Sequence, residues 1–325
     1  MKQHFTDKLS NVIAQDKSIK QETKNKLLSK MINLKKTKVN ILVTGATGCG
    51  KSSTINALFN AEEAKVGQGV DPQTTDITEY KFDNIILFDS PGLGDGRETD
   101  LHHARNITNK LHEKDSKNNQ LIDFVLVVLD GSSRDLGTSF ELINNVILPN
   151  IGNDKSRLLV AINQADMAMK GRYWNKEANK PEPQLVDFLN EKASSTKRRI
   201  FEASNVEIEP IYYSAGYKLG DEAQKPYNLS KLLLYILQGV DKSKRAVFIQ
   251  DLNTDSTMWK DDDGLDKYKE QVQQTLWESI KTTAESCGDI GGELGSYFGT
   301  SGKAAGRVIG TVVGSVIGFF KGIFD

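Results

Sequence analysis

The stretch VNILVTGATGCGKSSTINALF, residues 39–59, opens as an apolar run, breaks into glycines, reaches Lys51 and Ser52, and resumes with helical spacing. Gly45 through Ser52 satisfies G-x-x-x-x-G-K-[ST] at every specified position, in the strand–loop–helix context the motif requires. The residue types follow from the chemistry. Glycines let main-chain N–H groups between residues 45 and 53 turn inward around phosphate oxygens, and the helix start beyond them adds partial positive charge. Lys51 has the reach to set its ammonium on the β- and γ-phosphates, and the Ser52 hydroxyl can ligate Mg²⁺. Gly45, Gly48, Cys49, Gly50, Lys51, Ser52 and Ser53 are therefore the expected contacts to a nucleotide's phosphates. Cys49 occupies an unspecified position and reads as a small filler.

Outward from this loop, short strand-like runs alternate with helical patterns. The runs are 39–44, 77–82, 85–89, 122–129, 157–162 and 209–213. Helical spacing between most of them predicts an α/β fold: a six-stranded, mainly parallel sheet between helices. Asp83-Asn84 is too short for a crossover, so 77–82 and 85–89 are expected to pair as an antiparallel hairpin.

Three further clusters sit at predicted strand ends. In Asp89-Ser90-Pro91-Gly92, the carboxylate can hold a Mg²⁺-bound water and the Gly92 amide can sense a γ-phosphate. In Asn163-Gln164-Ala165-Asp166, the Asp166 carboxylate would accept both the N1–H and the exocyclic amine of guanine. Adenine has no such donor pair and would leave a buried charge unpaired, which is costly enough for one residue to discriminate the bases. Ser214-Ala215-Gly216 follows the last strand and would close the base pocket with a backbone amide.

Taken together, "GKSSTINALF", "PQTTDI", "DSPGLGDG", "NQAD" and "YYSAG" resemble an Era-like GTPase of the translation-factor-related class. Gln164, Trp174 and the Pro181–Gln184 stretch resemble more narrowly the prophage-associated YfjP/YeeP group. The resemblance spans about residues 20–250. It implies a guanine-nucleotide domain that hydrolyses GTP, with Lys51, Thr75 and Gly92 at the reacting phosphate and Ser52, Thr75 and Asp89 around Mg²⁺. Thr74 is the reserve choice for Thr75. Gln164 departs from the commoner Lys. Leu93 stands where many GTPases place a water-orienting Gln, and Gly48 stands where a potassium-binding Asn would be. Arg97, His102 and His103 just beyond read as mobile-loop residues or catalytic helpers. Slow hydrolysis is expected, accelerated by an activating protein or by self-association.

Hydrophobic residues at 38% and charged residues at 26% are ordinary for a globular protein. Charge is unevenly spread: residues 1–38 hold ten lysines against Asp7, Asp16 and Glu22, a net of +7 in a chain whose total is −1. Such an arm suits anionic lipid, RNA or an acidic partner, or is a solvated helix face. Cys49 and Cys287 are the only cysteines, which argues against a disulfide framework and fits a reducing cytoplasm. The start of the chain has no apolar signal region. Four parts are expected: a basic amphipathic helical arm (1–36), a G domain (37–250), a linker with an amphipathic helix (251–287) and a glycine-rich tail (288–325). In the tail, Gly302, Gly306, Gly310, Gly314, Gly318 and Gly322 recur every four residues. This ladder suits close helix packing. Its charge-free segment 308–320 is short against the roughly 20 residues of a full span. Three fates stay open for it: association with the inner face of a membrane, homo-oligomer formation, or folding onto the core. The whole reads as a GTP switch coupled to membrane or self-assembly, against a ribosome- or RNA-linked GTPase or a non-hydrolysing scaffold.

Overall fold

The computed structural model describes residues 4–15, 17, 21–59, 65–67, 77–94, 96–219 and 222–285. Thr74, Thr75, Cys287 and the glycine ladder lie outside them. All six expected strands form one sheet, and a three-residue strand extends its edge. Along the chain these are β1 (Val39–Gly45), β2 (Lys65–Gly67), β3 (Thr78–Lys81), β4 (Ile85–Asp89), β5 (Phe124–Asp130) and β6 (Leu158–Asn163). A small hairpin of β7 (Trp174–Asn175) and β8 (Lys180–Pro181) precedes the last sheet strand, β9 (Ile211–Tyr212). The order is β2-β3-β4-β1-β5-β6-β9. Pairings from β4 through β1, β5 and β6 to β9 are parallel, and β3 meets β4 antiparallel as the short Asp83-Asn84 turn demands. Three strands, β3, β5 and β9, are shorter than expected. Just before β5 the Asp123 N–H donates to the Asn40 carbonyl at 2.8 Å while the Asp123 carboxylate accepts the Asn40 N–H at 2.9 Å, and Pro210 brings no donor to the start of β9.

The helices are α1 (Phe5–Gln15), α2 (Gln21–Lys36), α3 (Lys51–Leu58), α4 (Arg97–His112) and α5 (Gly137–Glu141). The last continues through a π-helical stretch, Leu142–Ile147, into α6 (Leu148–Asn150). Then come α7 (Pro183–Ser204), α8 (Leu229–Gly239), α9 (Phe248–Asp251) and α10 (Leu265–Glu285). Among the described residues no helix is long and apolar enough to cross a membrane.

Because helices cover both faces of the sheet, the central strands are apolar throughout and divide their side chains between two cores. Val39, Ile41 and Val43 of β1 join Phe124, Leu126 and Val128 of β5 under α3, α8 and α10. Leu42 of β1 joins Val125, Val127 and Leu129 under α4, α5 and α7. Phe5, Leu9, Leu27 and Met31 of the basic arm enter the first core, as do Val272, Leu276 and Ile280 of α10. Lys8, Lys26, Lys35 and Lys36 therefore stand on the exposed face of helices whose inner face is packed.

The β3–β4 turn ties these segments together. Asn84 is fully buried. Its amide donates to the carbonyls of Lys35 at 3.1 Å and Thr37 at 2.7 Å, so Oδ1 is the acceptor facing His4 Nε2 at 2.8 Å. Asp251 accepts N–H groups from Asp83, Asn84 and Ile85 at 3.1, 2.6 and 2.7 Å. Burial pushes the Asp251 carboxyl up to about 6, against the pull of the Asn84 and Ile85 amides. The folded state thus holds this proton more tightly than the unfolded chain, where the group titrates near 3.8. Its contribution to stability is greatest at low pH and declines as pH rises towards 6. Urea unfolding of the wild type and of Asp251→Asn at about pH 4 and about pH 6.5 measures this. The free-energy difference, wild type minus variant, should fall by roughly 2–3 kcal/mol across that interval.

Candidate functional site

The C-terminal ends of β1, β4, β6 and β9 meet at one edge of the sheet, and each carries one of the sequence clusters. From β1 the chain turns through residues 46–50 into α3. Gly50 sits at φ 90°, and a Cβ there would fall 2.3 Å from Asn163 Nδ2, so the position requires glycine for both conformation and space. The Gly50 carbonyl is held by the Thr54 hydroxyl at 2.8 Å, which also faces the buried Tyr213 hydroxyl at 2.6 Å. Lys51 Nζ rests 3.4 Å from the Gly45 carbonyl and 3.2 Å from that of Ala46. Its ammonium therefore lies folded back over the loop. Cys49 is buried, and burial pushes its thiol up to about 11. It stays neutral, as a filler should.

Asp89 ends β4 with Oδ2 3.4 Å from the Ser52 hydroxyl. Its Oδ1 is buried and meets no hydrogen-bond partner among the described residues. Burial raises the carboxyl above its usual range, while Lys51 and the Ser52 hydroxyl pull it down. A half-satisfied carboxylate beside a hydroxyl is an oxygen donor pair of the kind that suits Mg²⁺. Thr75, the other expected ligand, lies outside the described residues.

After β4 the chain runs against the loop. A Cβ on Gly92 would fall 2.2 Å from the Thr47 nitrogen. Leu93 N–H donates to the Gly45 carbonyl at 3.4 Å, and Thr47 N–H donates to the Leu93 carbonyl at 3.2 Å. Leu93 is buried in the second core. The mobile-loop expectation for Arg97, His102 and His103 is corrected, because all three belong to α4. Arg97 and His102 are exposed, whereas His103 is buried with Nδ1 3.1 Å from the Gly92 carbonyl.

On the other side, Asn163 ends β6 and spans the site. Its Nδ2 donates to the Cys49 carbonyl at 2.9 Å, and its Oδ1 accepts the Ala215 N–H at 2.9 Å. Within the Ser214-Ala215-Gly216 turn, the Ala215 N–H is thus the one that orients Asn163. The Ser214 hydroxyl accepts the Gly216 N–H at 3.2 Å. Gln164, at φ 58°, donates from Nε2 to the Gly48 carbonyl at 2.8 Å. The side chain that replaces the commoner Lys therefore reaches the loop of β1. Asp166 is buried two residues further on. The roles of Thr54 and Tyr213 carried no motif signal, since a hydroxyl pair bridging a helix and a distant strand has no fixed spacing.

Residues 40–164 match the 50S ribosome-binding GTPase family. Over 264 residues the chain is 24% identical to interferon-gamma-inducible GTPase 10 of Mus musculus, covering 79% of this chain and 56% of that protein. It is 45% identical over 67 residues to immunity-related GTPase family M protein 1 of Mus musculus, 19% of this chain and 16% of that one. The chain thus spans about half the length of the first relative. Among solved structures, Toc33 of Arabidopsis thaliana with GDP and Mg²⁺ shares 18% identity at a TM-score of 0.43, covering 75% of this chain and 98% of that one. A probable GTP-binding protein engB shares 22% at 0.38, covering 62% and 98%. The fold is that of an α/β P-loop GTPase domain.

Removing the Asn163 side chain leaves the Cys49 carbonyl and the Ala215 N–H buried and unpaired. Asn163→Ala should therefore cost roughly 2–4 kcal/mol in urea unfolding of nucleotide-free protein. Gln164→Ala, on the exposed side of the same loop, should cost under about 1 kcal/mol.

Proposed function

We propose that this chain binds GTP with Mg²⁺ and hydrolyses it to GDP and phosphate, acting as a switch coupled to membrane association or self-assembly. The observation that carries the reading is the convergence of the Gly45–Ser52 loop, Asp89 and the Asn163–Asp166 loop at one sheet edge, with Asn163 bonded to the loop itself. One end of that edge suits phosphates and the other suits a base.

In this reading the Lys51 ammonium leaves the Gly45 and Ala46 carbonyls for the phosphates, an exchange of neutral acceptors for charged ones that favours binding. Main-chain N–H groups at the start of α3 surround the β-phosphate. Ser52 and Thr75 would hold Mg²⁺ directly and Asp89 would hold it through water; the ion supplies charge neutralisation at the β- and γ-phosphates. The Gly92 amide senses the γ-phosphate, next to a Gly92 carbonyl that faces His103 Nδ1. Asp166 reads guanine while Asn163 fixes the loop that presents it. With Leu93 buried, no side chain at that position orients water, so turnover is slow until a partner or a second copy contributes.

Within this reading the chain stands closest to the Era-like, YfjP/YeeP-like GTPases, on the Asn163–Asp166 tetrapeptide and Trp174. The arm 1–36, the segment 251–287 and the glycine tail 288–325 transmit the state of a G domain at 37–250. The glycine ladder supports membrane or self-association, since glycine-rich helices need close packing to offset their low intrinsic stability. The cytoplasmic face of a membrane is the proposed location.

Calorimetry on the full chain tests the reading. GTP and GDP should bind with Mg²⁺, and ATP at least about 100-fold more weakly. Lys51→Ala should abolish binding, and Asp166→Ala should erase the preference for guanine. Equal affinity for ATP and GTP would overturn it. The buried Leu93 also favours a second reading, a non-hydrolysing scaffold. Multiple-turnover phosphate release, raised by phosphatidylglycerol vesicles and lost in Lys51→Ala, would exclude that alternative.

A further inference from the structure

A cavity of about 730 Å³ opens beside the Asn163–Asp166 loop, between the segment after β5, the turn after Asp166 and α7. Its lining sorts by chemistry. Phe140 and Phe188 give it an apolar floor, and Arg134, Lys170, Arg172 and Arg199 surround them, with Glu191 the single acidic lining residue. Among the described residues, none of these four cations meets a carboxylate at ion-pair distance. Arg199 instead lies over the Phe140 ring, 4.3 Å from its centroid. Lys192 is committed elsewhere: its ammonium donates to the carbonyls of Gly131 at 2.7 Å and Ser133 at 2.6 Å, bracing one wall.

The wall opposite is held in an uncommon conformation. Met169 at φ 53° and Lys170 at φ 62° are consecutive non-glycine residues in the left-handed region. L side chains rarely adopt it, and such residues persist where the surroundings over-determine them, often at ligand sites. This turn puts Lys170 and Arg172 on the same rim as Arg134, which comes from a different segment.

The volume falls within the roughly 300–1,000 Å³ of small-molecule sites. Guanidinium forks suit planar or tetrahedral oxyanions bidentately, and an aromatic floor beneath a guanidinium suits the face of a ring. We infer that the cavity is a second ligand site, for a phosphorylated small molecule that carries a ring, and that its occupancy is coupled to the guanine loop. The coupling route is short. Ser132 lines the cavity, its hydroxyl is 3.4 Å from Gln164 Oε1, and the Gln164 amide holds the Gly48 carbonyl. Beside it, Gly131 N–H donates to the Asn163 carbonyl at 2.7 Å. A ligand that draws the 131–134 wall therefore moves the support of both loops, and linkage makes the effect reciprocal. The coupling rests on the guanine-loop reading; the site itself does not.

The test uses the full chain with Mg²⁺ and saturating GDP, titrated with trinitrophenyl-ATP and followed by fluorescence. One saturable site is expected, weakened at least about tenfold in the exposed-rim variant Lys170→Glu/Arg172→Glu and retained in Lys51→Ala. GDP affinity should change about fivefold when the probe saturates wild type, and not in the double variant. Circular dichroism and an unchanged GDP affinity without probe confirm that the double variant is folded. Absence of saturable binding overturns the inference. Binding lost in Lys51→Ala but kept in the double variant also overturns it, placing the probe on the Gly45–Ser52 loop and discrediting the guanine reading separately. A double variant that loses sedimentation with phosphatidylglycerol vesicles, with no probe binding in wild type, overturns it in favour of a membrane-facing patch.

Discussion

The Asn163 side chain joins three strand ends that share no sequence neighbourhood. Its amide holds the Cys49 carbonyl of the loop after β1, and its carbonyl receives the Ala215 N–H beyond β9. Both bonds are buried, so each replaces water that cannot reach the groups. Gly50 is obliged to lack a side chain because this amide occupies the space a Cβ would take. The Gly45–Ser52 loop and the Asn163–Asp166 loop are therefore not independent devices placed near one another. They are two halves of one hydrogen-bonded unit, and the distance between them is set before any ligand arrives.

The same edge holds several polar groups in provisional arrangements. Lys51 rests on two carbonyls of its own loop, and one buried oxygen of Asp89 meets no partner among the described residues. Burial raises the Asp89 carboxyl, while Lys51 and the Ser52 hydroxyl pull it down. Such groups cost stability in isolation and favour any ligand that completes them. The rest of the fold offsets this with two continuous apolar cores, one on each face of the sheet. At the far end of β3 and β4, Asp251 ties the hairpin turn to α9, and Asn84 ties it to His4 and to the end of α2. The hairpin thus runs from this buried clamp to the edge that carries Asp89.

Much of this was legible from residue order. The glycine pattern of 45–52, the apolar runs and the two-residue turn at 83–84 are local, and local rules read them. The limits of the strands were less legible because they depend on partners: β9 keeps only Ile211–Tyr212, the two residues that pair with Ala161 and Ile162 of β6. Leu93 could be identified as an unusual residue at its position, but not as a buried one paired to Gly45 and Thr47. Nothing in the spacing of Arg134, Lys170, Arg172 and Arg199 announces a shared cavity, since they come from three segments and only the packing of α7 brings them together.

What the order of residues determined by itself was the fold class and which residue types stand at each strand end. Short-range sterics and the alternation of apolar and polar positions are properties of neighbours in the chain. What only the tertiary structure decided was which polar groups are already partnered. The Ala215 amide serves Asn163, the Gln164 amide serves Gly48, and His103 is buried against Gly92 rather than exposed on a loop. Hydrogen bonds between distant segments are chosen by how close the folded backbone brings them, and that distance is not written in any one stretch of sequence.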